Sequence, residues 1–228
     1  MDWSLLSSLG SAALVWPLAL VLGLVLLPTA RRPADVGLWL MSLGLASVLV
    51  AGVKVAFYGW GTGVPAWDLT CFSGHAMMAA AFWPVAFASL LDDSVAGRRA
   101  GAMVGLGLAA AVAASRVFLQ AHPPSEALAG WLLGTAVAAM GLRALGGGRP
   151  APGRRAWVSG LVLSAMLMGL GHWVPHLPSE QWFQRLAVLL SGREHPVDRQ
   201  RWRAPAIPGT LTGLARPAMG AEYNARLA

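Results

Sequence analysis

The sequence predicts an all-α integral membrane protein, with about six transmembrane helices packed as a bundle. Three observations predict it. Of 228 residues, 56% are hydrophobic and only 12% charged. Apolar runs recur between breakers at lengths that cross the roughly 30 Å hydrocarbon layer of a bilayer. No run shows the every-other-residue alternation of a barrel strand, and lipid offers no partner for an exposed backbone N–H or C=O, so helices are the required form.

Six stretches qualify, near residues 5–27, 36–57, 74–91, 101–119, 125–145 and 156–174. The first follows Met1-Asp2-Trp3 without the basic residues of a signal peptide or a convincing cleavage site, so it is expected to stay as a span. The second carries one charge, Lys54, towards its end, and the third begins at Ser73-Gly74-His75, after the polar, glycine-rich "GWGTG". In the fourth, "GLGLAAAVAA" lets helices approach closely. The fifth opens near Pro124, where a helix start tolerates proline. These spans make a transmembrane domain over 1–177. The remainder, 178–228, reads as an amphipathic helix, "SEQWFQRLAVLL", lying on the membrane surface, then an irregular tail containing arginine and proline.

Loop charges set the orientation. Arg31, Arg32, Arg98, Arg99, Arg143, Arg149, Arg154 and Arg155 fall on one side, against Lys54 and Arg116 on the other, which places the first set in the cytoplasm. Both termini and the loops at 58–73 and 115–124 then face outwards, towards the periplasm of a bacterium. The tail, with seven arginines against four acids, runs against this count.

Cys71 is the only cysteine, which rules out an intramolecular disulfide and a cysteine metal cluster. A formal charge of +7 invites nucleic acid, but the basic residues flank apolar spans, where membrane orientation accounts for them. His172 and His176 are four apart with Pro175 between and no glutamate, unlike a zinc helix. No nucleic acid, metal or cofactor is expected.

Several residues are not accounted for by a membrane bundle alone. Lys54 is the one lysine among seventeen basic residues; it is either a snorkelling anchor or a cation with a task. Ser73-Gly74-His75 stands at a helix start, where unpaired N–H groups attract anions, though Ser73 would serve equally as an N-cap. In "SRVFLQAHPPSEALAG", Glu126 follows His122 by four residues and can reach its ring, fixing the tautomer and sharpening the other nitrogen as a base or nucleophile. Arg116 shares that outer side. Cations and N–H groups suit phosphate, and two histidines allow a nucleophile with a separate proton donor, so phosphoryl transfer without a metal is the economical reading.

These residues resemble the phosphatidic acid phosphatase type 2 family, whose three motifs are KxxxxxxRP, PSGH and SRxxxxxHxxxD. The third is present as Ser115-Arg116, His122 and Glu126, every interval kept and Glu in place of Asp; the second is Phe72-Ser73-Gly74-His75, with Phe in place of Pro. Of the first only Lys54 remains, since Gly61 and Thr62 stand where the family has arginine and proline. The glycine-rich "GWGTG" is expected to lend backbone N–H groups in their place. The resemblance implies that His122 attacks phosphorus, His75 protonates the leaving oxygen and Glu126 orients His122, while Lys54, Arg116 and the N–H groups of Ser73 and Gly74 hold the phosphoryl oxygens.

The expected activity is hydrolysis of a lipid phosphate or diphosphate through a phosphohistidine, at the outer face of a bacterial inner membrane. Membrane lipids are the expected surroundings. The alternatives are a phosphotransferase of the same family, or a noncatalytic lipid-binding or transport protein.

Overall fold

A computed structural model describes residues 2–28, 30–90, 94–145, 158–165, 179–199 and 202. Among them the protein is all-helical, with no strand and one isolated bridge, Val64 to Leu69. Helices α1 (Trp3–Ser8), α2 (Ala12–Leu26), α3 (Pro33–Trp60), α4 (Gly74–Leu90), α5 (Val95–Phe118), α6 (Pro124–Leu145) and α7 (Ser179–Ser191) follow in order, and 158–165 is also helical.

The bundle is organised around α4, which packs against α2, α3, α5 and α6. Its Ala76, Ala79, Ala80, Ala81, Phe82 and Trp83 are fully buried. Small residues on the neighbours make this possible. A Cβ added at Gly101 or Gly105 of α5 would stand 2.3 Å from the Phe87 carbonyl oxygen or 2.4 Å from that of Trp83. On α6, a Cβ at Gly130 or Gly134 would stand 2.3 Å from the Ser73 oxygen or 2.2 Å from the Met77 oxygen. The two four-residue glycine spacings are therefore where the helix backbones touch. Outwards, Leu24, Leu45, Val48, Leu128 and Leu132 are more than half exposed, an apolar exterior suited to lipid and costly in water.

Among the described residues, three helices are long and apolar enough to cross a membrane: α3 with 28 residues, α5 with 24 and α6 with 22. The α4 helix has 17 residues and α2 has 15, the latter about 22 Å at 1.5 Å per residue. The first expected span, 5–27, is not continuous: it breaks between Ser8 and Ala12. The reason is a close approach to α4, since a Cβ at Gly10 would come 2.4 Å from the His75 oxygen, while the freed Leu9 carbonyl accepts the Trp83 Nε1–H at 3.0 Å. Trp3 stacks on Phe118 at 4.4 Å, so α1 is laid against the end of α5. Of the stretch 156–174, only 158–165 lies within the described residues, and its Val158, Val162 and Ala165 are buried.

Loops 61–73 and 119–123 meet at one end of the bundle, where the Ser125 hydroxyl donates to the Asp68 carbonyl at 3.0 Å. At the opposite end Arg98 donates to the Leu145 carbonyl at 3.3 Å, a cation on the last turn of α6. Lys54, His75, Arg116, His122 and Glu126 all belong to the first end.

Candidate active site

Lys54 comes from within α3, and the other charged side chains come from a helix end or a turn. The first turn of α6 carries Glu126, four residues after His122, and the His122 Nδ1 lies 2.6 Å from Glu126 Oε2. The turn holds because the Arg116 carbonyl accepts the N–H groups of Ala121 and His122 at 3.0 and 3.2 Å, with Gln120 in the left-handed region at φ 54. Glu126 has no solvent exposure, and its charge is met from several directions. The N–H groups of Thr70 and Cys71 donate to Oε1 at 3.0 and 3.1 Å, and the Thr70 hydroxyl donates to it as well. Arg199 Nη2 reaches both carboxylate oxygens, at 2.8 and 2.9 Å.

In front of this pair lies a cavity of about 1060 Å³, walled by Lys54, Gly74, His75, Arg116, His122, Glu180 and Arg199, with Ser4, Ser7 and Ser8 of α1 and Ser11 at the start of α2. Because His122 Nδ1 is engaged by Glu126, Nε2 is the nitrogen left for chemistry. Burial pushes the His122 imidazole below the ordinary histidine range, outweighing the pull of Glu126 and helped by the Lys54 and Arg116 charges. That shift favours the neutral ring. Arg116 donates from Nη1 to Ser7 Oγ at 2.7 Å, and its Nε is buried with no hydrogen-bond partner among the described residues. A buried donor without an acceptor is suited to an incoming anion.

Two expected roles are altered. The N–H of Ser73 donates to the Glu126 carbonyl at 3.0 Å and is not offered to a phosphate. Ser73 is fully buried, its hydroxyl faces the N–H of Ala76 at 3.5 Å, and its backbone is where α6 closes on α4. Gly74 does line the cavity. The "GWGTG" stretch lends no N–H there either: Gly61 caps α3 at φ 71, its N–H on the Phe57 carbonyl at 2.8 Å, and none of these glycines walls the cavity.

Lys54 does not snorkel. It is buried and paired with Glu180 at 2.5 Å, whose second oxygen accepts the Tyr58 hydroxyl. Burial works against the Glu180 charge, but Lys54 holds its carboxyl below the usual range. Thus Glu180 and Arg199, from the C-terminal part of the chain, stand with the expected residues. Sequence spacing carries no signal for either, as they lie 126 and 73 positions from their partners. Thr70, Cys71 and Ser7 are likewise unmarked in the sequence, being ordinary side chains made relevant only by position.

Cys71, His122 and Glu126 bring donor atoms within 4.8 Å of one another. They do not fit a cation. The Arg199 guanidinium already lies on both Glu126 oxygens, so a cation would have to displace it, and burial, with the Glu126 charge, pushes the Cys71 thiol up to about 11.

Comparison with known proteins gives the arrangement a context. An uncharacterized 22.5 kDa protein in the cps region of Klebsiella pneumoniae is 40% identical over 142 residues, which is 61% of this chain and 68% of that protein. No solved structure matches. The PAP2 superfamily model matches residues 55–147, a stretch that holds His75, Arg116, His122 and Glu126 and starts beside Lys54. By that match, and by the side chains its helices bring together, the chain belongs to the PAP2 superfamily.

Proposed function

We propose that the protein is a membrane phosphatase that hydrolyses a lipid phosphate or diphosphate through a phosphohistidine on His122, without a metal, at the outer face of a bacterial inner membrane. Superfamily membership supports a phosphatase. The observation that carries the finer reading is the 2.6 Å pair of His122 with a fully buried Glu126, at the wall of a cavity that also holds Lys54, His75 and Arg116. A protein that only bound phosphate would use the cations and would not need an oriented imidazole. Six spans, with this end of the bundle at head-group level, give a lipid phosphate direct access to the cavity.

In this reaction His122 Nε2 attacks phosphorus, forming a P–N bond as the P–O bond to the leaving group breaks, and His75 gives its proton to the departing oxygen. Water then attacks the phosphohistidine with His75 taking one of its protons; the P–N bond breaks and inorganic phosphate leaves. Lys54, Arg116 and the Gly74 N–H stabilise the phosphoryl oxygens as charge shifts onto them. Lys54 must first be yielded by Glu180.

The test is phosphate release by purified protein from a panel of lipid phosphates in the presence of EDTA, with wild type, His122→Ala and His75→Ala in parallel. Loss of on the order of 10³-fold or more in His122→Ala is expected; equal rates in wild type and His122→Ala would sink the phosphohistidine route. Transfer to an added alcohol in place of water would identify a phosphotransferase.

A further inference from the structure

The glycine-rich stretch after α3 is where the far end of the chain comes down on the site. The Val197 N–H donates to the Tyr58 carbonyl at 2.8 Å, and the Trp202 Nε1–H donates to the Gly61 carbonyl at 2.9 Å. A Cβ on Gly63 would approach the Trp202 ring to 2.8 Å, and that ring meets Phe57 edge-on at 5.8 Å. Between these anchors Arg199 reaches inwards over the Phe57 ring and places Nη2 on both Glu126 oxygens and, at 2.7 Å, on Thr70 Oγ1. The absence of side chains at Gly61 and Gly63 makes the seat.

A carboxylate with no solvent exposure is costly unless a counter-charge stands beside it. His122, 2.6 Å away, is one source, but only by taking a proton, and an imidazolium has no lone pair with which to attack. Arg199 supplies the charge with no proton moved. We propose, resting on the phosphatase reading above, that Arg199 is a positioning residue of this active site: seated with Val197 and Trp202 on Gly61–Gly63, it is the counter-charge that lets His122 stay neutral beside an ionised Glu126. Arg199 lines the cavity, but the role differs from holding substrate, since its hydrogen bonds run to Glu126, Thr70 and Cys71, which do not line it.

Besides Glu126 and Arg199, the groups around His122 are Lys54 and Tyr58 on α3, His75 on α4, Arg116 on α5, Glu180 on α7 and the Cys71 thiol in the loop. The test leaves all of these in place. The imidazole of His122 is titrated by NMR in detergent-solubilised protein with isotope-labelled histidine, its signal assigned by its loss in His122→Gln. The same variants are run for phosphate release against pH. In Arg199→Gln the His122 pKa should rise by about one unit or more, carrying the acid limb of kcat/KM upwards with it, whereas Arg199→Lys should keep most of the wild-type value. Trp202→Ala, which removes the anchor and leaves the guanidinium, should move the same way by less, and it decides the matter if Arg199→Gln does not fold. A His122 titration unchanged in these variants, or an activity loss equal at every pH, overturns the proposal. If the titration shifts while wild type releases no phosphate, the role of Arg199 stands and the phosphatase reading falls.

Discussion

At the scale of single residues, the proposed reaction needs a neutral His122 beside the buried Glu126 carboxylate. Glu126→Gln keeps the size of the side chain but can present its NH₂ to His122, inverting the tautomer. A fall in kcat of about 10²- to 10⁴-fold with little change in KM is expected from steady-state kinetics on the best lipid phosphate. The pH dependence follows from burial. Because burial shifts the His122 pKa below the ordinary value of about 6.5, the proposed nucleophile is expected to stay neutral as pH falls through that value. The acid limb of kcat/KM should therefore lie below pH about 6.5, and a limb at or above it would count against His122 as the attacking base. Cys71, buried with its thiol pushed up to about 11, should resist alkylation by a maleimide at neutral pH until the protein is unfolded, read by mass shift.

Among elements, α7 bears on how the proposed site would receive an anion. Its Glu180 occupies Lys54 and Tyr58, so a phosphate entering the proposed site would compete with a carboxylate already in place. Glu180→Gln should lower the inhibition constant of inorganic phosphate severalfold while leaving kcat near wild type; a rise would show that Glu180 holds Lys54 in position for substrate. The contact of α4 with α6 makes a different demand. Gly134→Val would force a side chain into the Met77 carbonyl, and a loss of about 2 kcal/mol or more is expected, seen as a lower Tm in detergent. The amino-acid pattern makes some of the helix boundaries legible. Lengths and apolar character locate α3, α5 and α6, and Pro124 marks the start of α6. The break between α1 and α2 falls in "SSLGS", whose serines and glycine are small enough to be read through as part of one apolar span; only the structure shows Gly10 lying against the His75 carbonyl and Ser11 opening α2.

For the whole molecule, the loops at the two ends of the bundle should lie on opposite sides of the membrane. Trp67 and Val95 are both well exposed, one in the loop beside the cavity and the other at the opposite end. Introduced singly as cysteines beside the buried native thiol, they should be labelled by an impermeant maleimide from opposite faces, Trp67→Cys from the periplasmic side. Labelling from the same face would overturn the orientation inferred from the loop arginines.

The sequence by itself determined the helical, membrane-suited character of the chain, since apolar length and the lack of strand alternation leave lipid-exposed backbone no other arrangement. It also determined the His122–Glu126 pair, because a spacing of four on a helix start is local geometry that needs no knowledge of the rest of the chain. Only the tertiary structure decided which charges answer Glu126 and Lys54. Arg199 and Glu180 reach them across long separations, through a tail seated on glycines and a helix laid against α3, and no local periodicity encodes such contacts. It also withdrew Ser73 from the phosphate site, since the N–H that a helix start would offer is taken by the carbonyl of Glu126 as α6 closes against α4.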